Sequence, residues 1–476
     1  MKKLMSILLV FVMIAGLCAC SAKNDNGEIP TLKWLLPAES QADLQSVQDA
    51  LNEIIEEKVG VRVELQFISP GAFNEKMRMK MASNEAFDIC FAGWVNKYAT
   101  AVSNGGLMDI TDYIDKVDGL REAIPDYVWD AATVDGRIYG VPNIQTHILP
   151  YALMINKNIA SKYDFDFSTI KHINDLEPYL EEVKKNESGV YPFSPSYGVL
   201  PWYANKYESV GYEHIILPKG STNPEDLTFT FETEEWNEGV NKLWDWYQKG
   251  YIRKDVLSSG ADTTDRKAGK YAVEIGGWKF GADIAWEASY GIPVITQLID
   301  EPYVTRNRCL TTMYCVGPNC KYPEKALEVI KLLHTDERMI NLLTFGVEGK
   351  HYNMVDNRVQ AIPDSGYNQN GDSWKFGRQW NAKLMLGQED TIWEDTKDLN
   401  ESAEKSALMQ FEFDKTPVKT ELSNLANIDA EYEVFNKGAA DPKTYMDEFI
   451  QKMKDAGIEK VYEEVKRQLT EYNASK

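Results

Sequence analysis

Alternation and helical periodicity divide the first third of the chain cleanly. Leu32, Trp34 and Leu36 alternate with polar or smaller neighbours and predict a strand. Leu44, Val47, Leu51, Ile54 and Ile55 then recur at helical spacing, and Ser40 with Asp43 resembles a capping box ahead of them. Val61, Val63, Leu65 and Phe67 alternate with Arg62, Glu64 and Gln66 as a second strand. Phe73–Ala82 reads as a helix and Asp88–Phe91 as a third strand. A strand–helix–strand–helix–strand order predicts a mostly parallel sheet. In open sheets of that kind ligands lie beyond the carboxyl ends of the strands. Those ends carry Pro37-Ala38-Glu39, Ser69-Pro70-Gly71 and Gly93-Trp94-Val95-Asn96.

Further on, Asp135-Gly136 between Thr133-Val134 and Arg137-Ile138 is a hairpin turn signal, and Tyr151–Asn156 is an apolar strand. Helical patterns cover Asn174–Lys185 and Glu234–Gln248, the second with Val240, Leu243, Trp244 and Tyr247 on its apolar face. Between them the aromatic, proline-bearing stretch to Tyr207 reads as a loop that leaves Trp202 and Tyr203 available to a ligand. The stretch Lys270–Trp286 is the centre of the chain. Ala272–Ile275 reads as a buried strand, Gly276-Gly277 as a turn without Cβ clashes, and Trp278 sits on that turn. Such a corner suits a ligand wall; an ordinary strand–turn–helix corner with a core tryptophan is the competing reading. Ile292–Leu298 and Arg308–Val316 are strand-like, and Pro323–Leu333 and Asp336–Leu343 are helical. Trp374–Trp380 forms a second cluster of glycine and tryptophan, and beyond residue 386 the chain turns helical and charged.

The N-terminus sets the compartment. Lys2 and Lys3 precede Leu4–Leu17, an apolar run too short to span a bilayer but suited to a secretory signal. It ends in Leu17-Cys18-Ala19-Cys20, which resembles a bacterial lipobox. By that resemblance residues 1–19 are removed, Cys20 carries the lipid, and residues 20–30 form a polar tether. The mature body would be held on the extracytoplasmic face of the cell membrane by that lipid alone. Loss of Lys2 and Lys3 takes the net charge from −22 to −24. This acidity argues against nucleic acid and against a polybasic membrane contact. About 450 mature residues are too many for one core, so two or more domains are expected. Twelve tryptophans and 25 tyrosines exceed what packing alone asks for and suit a site that stacks on sugars. Cys90, Cys309, Cys315 and Cys320 remain in the mature chain; a Cys315–Cys320 bridge and buried free thiols are both open, and no CxxC pair supports a metal site.

Several pieces occur in a telling order: Phe87-Asp88-Ile89 with Gly93-Trp94; Gly106–Ile110; Trp129 ahead of Asp135–Pro142; Ile155-Asn156-Lys157; and Gly276-Gly277-Trp278. With Gly346–Tyr352 and Phe413–Leu422, the chain resembles a family 1 extracellular solute-binding protein of an ABC importer. Those last two segments resemble a branch with an added helical C-terminal domain. The resemblance implies an α/β fold of two lobes, joined by crossover strands and closing on a ligand. Lobe 1 would be residues 30–140 with 305–345, lobe 2 residues 141–304 with 350–385, and the helical C-terminal domain residues 386–476. Trp94 and Glu39 would line lobe 1, and Trp202, Trp278 and Trp374 lobe 2. Asn96, Gln145 and Lys279 would supply further polar partners to sugar hydroxyls.

The implied function is capture of a carbohydrate, an oligosaccharide above all, and its delivery to the transmembrane permease subunits of an ABC transporter. The implied protein is a monomer, needs no cofactor or metal and catalyses no reaction. A peptide or other small solute is the alternative ligand. A secreted glycoside hydrolase is the alternative class, but among 73 acidic residues a pair of carboxylates is uninformative. No GxSxG elbow, HExxH helix or phosphate loop is present in the sequence.

Overall fold

The computed structural model describes residues 29–258 and 263–476. The signal segment and Cys20 lie outside the described residues.

Lobe 1 is built on a five-stranded sheet. The strands Thr31–Pro37, Arg62–Ile68 and Ile89–Gly93 run parallel, with Thr31–Pro37 between the other two. Two later strands extend it: Thr312–Val316 lies antiparallel to Ile89–Gly93, and Gly140–Pro142 pairs antiparallel with Thr312–Val316. The helix Leu44–Val59 covers the sheet with Val47, Leu51, Ile54, Ile55 and Val59, one apolar stripe of the expected period. Its expected capping box does not form. Asp43 instead takes Lys350 at 2.6 Å and His351 at 3.0 Å, two residues brought back by the last third of the chain. His351 is fully buried there, and Glu348 pairs instead with Lys383 at 2.9 Å.

Lobe 2 is built on the strands Val294–Leu298, Tyr151–Asn156, Tyr271–Gly277 and Tyr191–Ser194, in that order. Only the last pair is parallel. Beside it a ribbon of Tyr207–Val210 and Tyr212–Pro218 packs near the helix Glu234–Gln248. That helix buries Trp236, Gly239, Val240, Leu243 and Trp246, so Trp246 replaces the expected Trp244 on its inner face. Arg308–Val316 is not one strand. Arg306–Cys309 is a short helix, and Cys309 and Cys315 do not share a strand face. All four described cysteines are buried free thiols, with Cys90 and Cys315 opposite each other in neighbouring strands.

One expected boundary moves. Residues 350–385 were expected in lobe 2, yet Tyr352, Val359, Tyr367 and Phe376 pack into the core of lobe 1. The Tyr367 hydroxyl donates to the Leu343 carbonyl at 2.7 Å, fixing that return. The expected helical C-terminal segment, residues 386–476, packs on both lobes. Trp393 and Leu399 pack on lobe 1, whereas Leu425, Phe449, Met453, Val461 and Leu469 share one core with Trp202, Trp236 and Trp246 of lobe 2. Trp236 stacks on Phe449 at 6.1 Å with planes 13° apart. The C-terminal helices therefore supply a wall of lobe 2 that its own strands lack. Among the described residues no helix is long and apolar enough to cross a membrane.

Candidate functional site between the lobes

The crossing between lobes is a polar knot. The Asn143 N–H donates to the Thr312 carbonyl at 3.0 Å, and its side-chain amide donates to the Lys375 carbonyl at 2.7 Å. The Asn143 side-chain oxygen accepts from the Gly377 N–H at 2.9 Å, and the Tyr314 hydroxyl donates to the Lys375 carbonyl at 3.0 Å. Thr312 Oγ1 donates to the Trp374 carbonyl at 3.2 Å and accepts from the Gln145 amide at 3.0 Å. Three segments far apart in sequence are thereby held at one level, and Trp374 is presented on a fixed backbone. His147 is sealed beneath this knot. Its Nδ1 accepts from the Tyr127 hydroxyl at 3.0 Å, and burial pushes the imidazole pKa down to about 4.

Trp94 leaves lobe 1 at the carboxyl end of the strand Ile89–Gly93, where the parallel sheet opens. Gly93 makes this exit feasible. Its φ is 138°, and a Cβ there would sit 2.1 Å from the Thr311 carbonyl oxygen. The Trp94 N–H then donates to that same carbonyl at 2.9 Å, and its indole remains 38% exposed. The ring reaches Trp374, with centroids 6.3 Å apart and planes inclined by 53°. The Trp374 indole N–H donates to Asp372 at 3.0 Å, and the Lys375 ammonium lies 2.7 Å from the same carboxylate and 5.4 Å from the Trp374 ring centre.

Lobe 2 answers with Trp278, Lys279 and Phe280, all half-buried. Gly276 and Gly277 do not form the expected turn; both continue the strand beside Ala152 and Tyr151. They are needed for close approach instead, because a Cβ at Gly277 would meet Leu149 at 2.5 Å and one at Gly276 would meet Met154 at 2.7 Å. Trp278 is anchored by its N–H to the Pro150 carbonyl at 2.8 Å and packs edge-on to Phe280 at 4.9 Å. Burial lowers the Lys279 pKa, and the Asp372 carboxylate acts against that shift. Lys279 of lobe 2 thus feels the same carboxylate that orients Trp374 of lobe 1.

The remaining expected site residues divide by burial. Glu39 stands exposed just beyond the first strand. Trp374 belongs with Trp94 on lobe 1, not on lobe 2. Trp202 is not available to a ligand. It is 3% exposed, its N–H donates to Asn174 at 3.0 Å, and it packs 6.1 Å from Trp246. Asn96 is buried and its amide donates to the Phe91 carbonyl at 2.9 Å, while Gln145 is committed to Thr312. Both polar side chains hold backbone and hinge in place rather than standing free. Sequence reasoning missed Asp372 and Lys375. The only signal was their place on either side of Trp374.

The chain belongs to the bacterial extracellular solute-binding proteins: residues 50–347 match that family, and residues 407–474 match a domain of unknown function, DUF3502. A carbohydrate ABC transporter substrate-binding protein of Streptococcus pneumoniae serotype 4 is 27% identical, over 98% of this chain and 97% of its own. In fold, the chain is similar to the crystal structure of the N-glycan transport solute binding protein NgtS from Streptococcus pneumoniae. The TM-score is 0.82 and the identity 24%, over 93% of this chain and 99% of that one. The same protein in complex with Man5GlcNAc superposes with a TM-score of 0.68 at 24% identity, over 94% and 99% of the two chains.

Proposed function

We propose that the protein captures an oligosaccharide between its lobes and hands it to the permease subunits of an ABC importer. The observation that carries this reading is the exposed face of Trp94 inclined against Trp374, with Asp372 and Lys375 beside it. Sugar rings present C–H faces that pack on indole, and their hydroxyls take hydrogen bonds from ammonium groups and give them to carboxylates. Trp278 and Lys279 of lobe 2 would complete the enclosure on closure. Glu39, exposed just beyond the first strand, would extend the site along lobe 1. The S. pneumoniae relative described as a carbohydrate substrate-binding protein supports the ligand class. No catalytic step is assigned, and the protein acts as a monomer. It would be tethered through a lipid on Cys20, so the captured sugar stays near the permease.

A thermal-shift series on the mature chain tests this reading. Ligands that bind only the folded state raise the melting temperature in proportion to RT ln(1 + [L]/Kd). Mannose- and N-acetylglucosamine-containing oligosaccharides, other glycans and peptides form the panel. A shift with one glycan class, and that glycan recovered unchanged, is the expected result. Shifts confined to peptides would replace the ligand class, and a cleaved glycan would replace the function.

A further inference from the structure

Away from the lobe interface, the ribbon at Tyr207–Pro218, the helix Glu234–Gln248 and the C-terminal helices enclose a cavity of about 300 Å³. Much of its wall is aromatic, with Tyr203, Trp236, Phe435 and Phe449, and among the described residues no lysine or arginine lines it. Glu213, His214 and Asp429 converge on this wall. Their ligand atoms all lie within 4.8 Å of one another.

The convergence is built by a local irregularity. Successive residues of a regular strand point to opposite faces. Here the ribbon register shifts between Tyr212 and Ile216, the kind of bulge that re-aims side chains. Glu213 and His214 can then address the same ion-sized space. The third member, Asp429, comes from the helix Lys419–Glu431 of the C-terminal segment. His214 Nδ1 lies 2.6 Å from the hydroxyl of Thr230, a fully buried residue. Nε2 faces Asp429 in the ion-free state; with Nδ1–H donating to Thr230, a cation between Nε2 and Asp429 would take the Nε2 lone pair in place of that contact, the outer-shell arrangement that orients an imidazole toward a cation. The Tyr212 hydroxyl holds Asp429 through contacts of 2.7 and 2.6 Å to its two oxygens. A tetrahedral ion with bonds of about 2.1 Å holds its ligand atoms roughly 3.4 Å apart. His214 Nε2 and Asp429 Oδ1 already stand at 3.3 Å. Glu213 is exposed, and its carboxylate already lies within 4.8 Å of both other ligand atoms.

We propose that Glu213, His214 and Asp429 bind a divalent d-block cation of the zinc class. One nitrogen and two carboxylate oxygens form a mixed donor set suited to such an ion, with a fourth position open to the cavity. Because its ligands come from lobe 2 and from the C-terminal helices, the ion staples the two together.

The test uses the chelator-stripped mature chain titrated with zinc chloride by calorimetry and by thermal melting. One equivalent binds, and the melting temperature rises with metal. Glu213→Gln keeps the metal-free melting temperature and weakens binding at least tenfold; His214→Gln abolishes binding. Cobalt in place of zinc gives d–d absorption without a thiolate charge-transfer band, which keeps Cys90, Cys309, Cys315 and Cys320 out of the site. The absence of heat and of any melting shift up to millimolar zinc overturns the proposal. So does undiminished affinity in both variants, because the ion then sits elsewhere.

Discussion

The indole rings of Trp94 and Trp374 stand 6.3 Å apart on the lobe 1 side of the cleft, one at a strand end and the other on the returning chain. If they form one stacking platform, Trp94→Ala and Trp374→Ala each lower oligosaccharide affinity by roughly 1–3 kcal/mol, and the double variant loses less than the sum. Calorimetry reads both. Trp202→Ala behaves differently. It lowers stability by about 3–5 kcal/mol, the cost of emptying a core tryptophan site, and leaves the affinity of the folded fraction intact.

Gly93→Ala couples the two properties. The added methyl would meet the Thr311 carbonyl oxygen at 2.1 Å, and the left-hand φ of 138° disfavours any side chain. A loss of about 1–3 kcal/mol in urea unfolding is expected. A weaker ligand affinity accompanies it because Trp94 is the next residue. Unchanged stability would show that the strand end relaxes freely.

His147 makes stability depend on pH in a defined direction. Its folded pKa, pushed down to about 4 by burial, lies below the unfolded value of about 6.5. Above pH 6.5 neither state is protonated and its contribution is complete. As pH falls from 6.5 toward 4, the unfolded chain takes up a proton that the folded one refuses, and stability declines. At about 1.4 kcal/mol per unit, this group alone removes on the order of 3 kcal/mol by pH 4. Denaturant midpoints at pH 7, 5.5 and 4.5 should fall in that order, and the slope should shrink in His147→Gln.

Arg306 is buried, pairs with Glu412, and has Nε and Nη2 without hydrogen-bond partners among the described residues. Burial pushes its guanidinium pKa down to about 10. Glu412→Ala leaves a buried charge uncompensated and should cost about 3 kcal/mol, whereas Arg306→Met with Glu412→Leu should recover most of it. Equal melting temperatures for the wild type and Glu412→Ala would remove this contact from the account of how the C-terminal segment is attached.

Cys20→Ser should move the protein from the membrane fraction to the medium of expressing cells. Retention on the membrane in that variant would overturn the proposed lipid attachment at Cys20.

The sequence by itself determined the local elements and their order. The alternation through Leu32, Val63 and Cys90 set three parallel strands, and the period through Val47, Leu51 and Ile55 set the helix between the first two. These are properties of neighbours within a turn or a strand, where side-chain direction follows from backbone period alone. The strand end at Gly93-Trp94 was legible for the same reason, whereas the turn read at Gly276-Gly277 was not there and both residues continue the strand. Only the tertiary structure decided which tryptophans are free. Trp202 and Trp374 both lie in aromatic stretches without a clear period and fold as short helical turns, but one donates to Asn174 inside a core and the other faces Trp94. It also decided which lobe the returning segments close on: Tyr352 and Tyr367 fill lobe 1, while Phe449 and Val465 complete lobe 2. Exposure and lobe membership are set by what packs against a side chain from hundreds of residues away, and no local period carries that information.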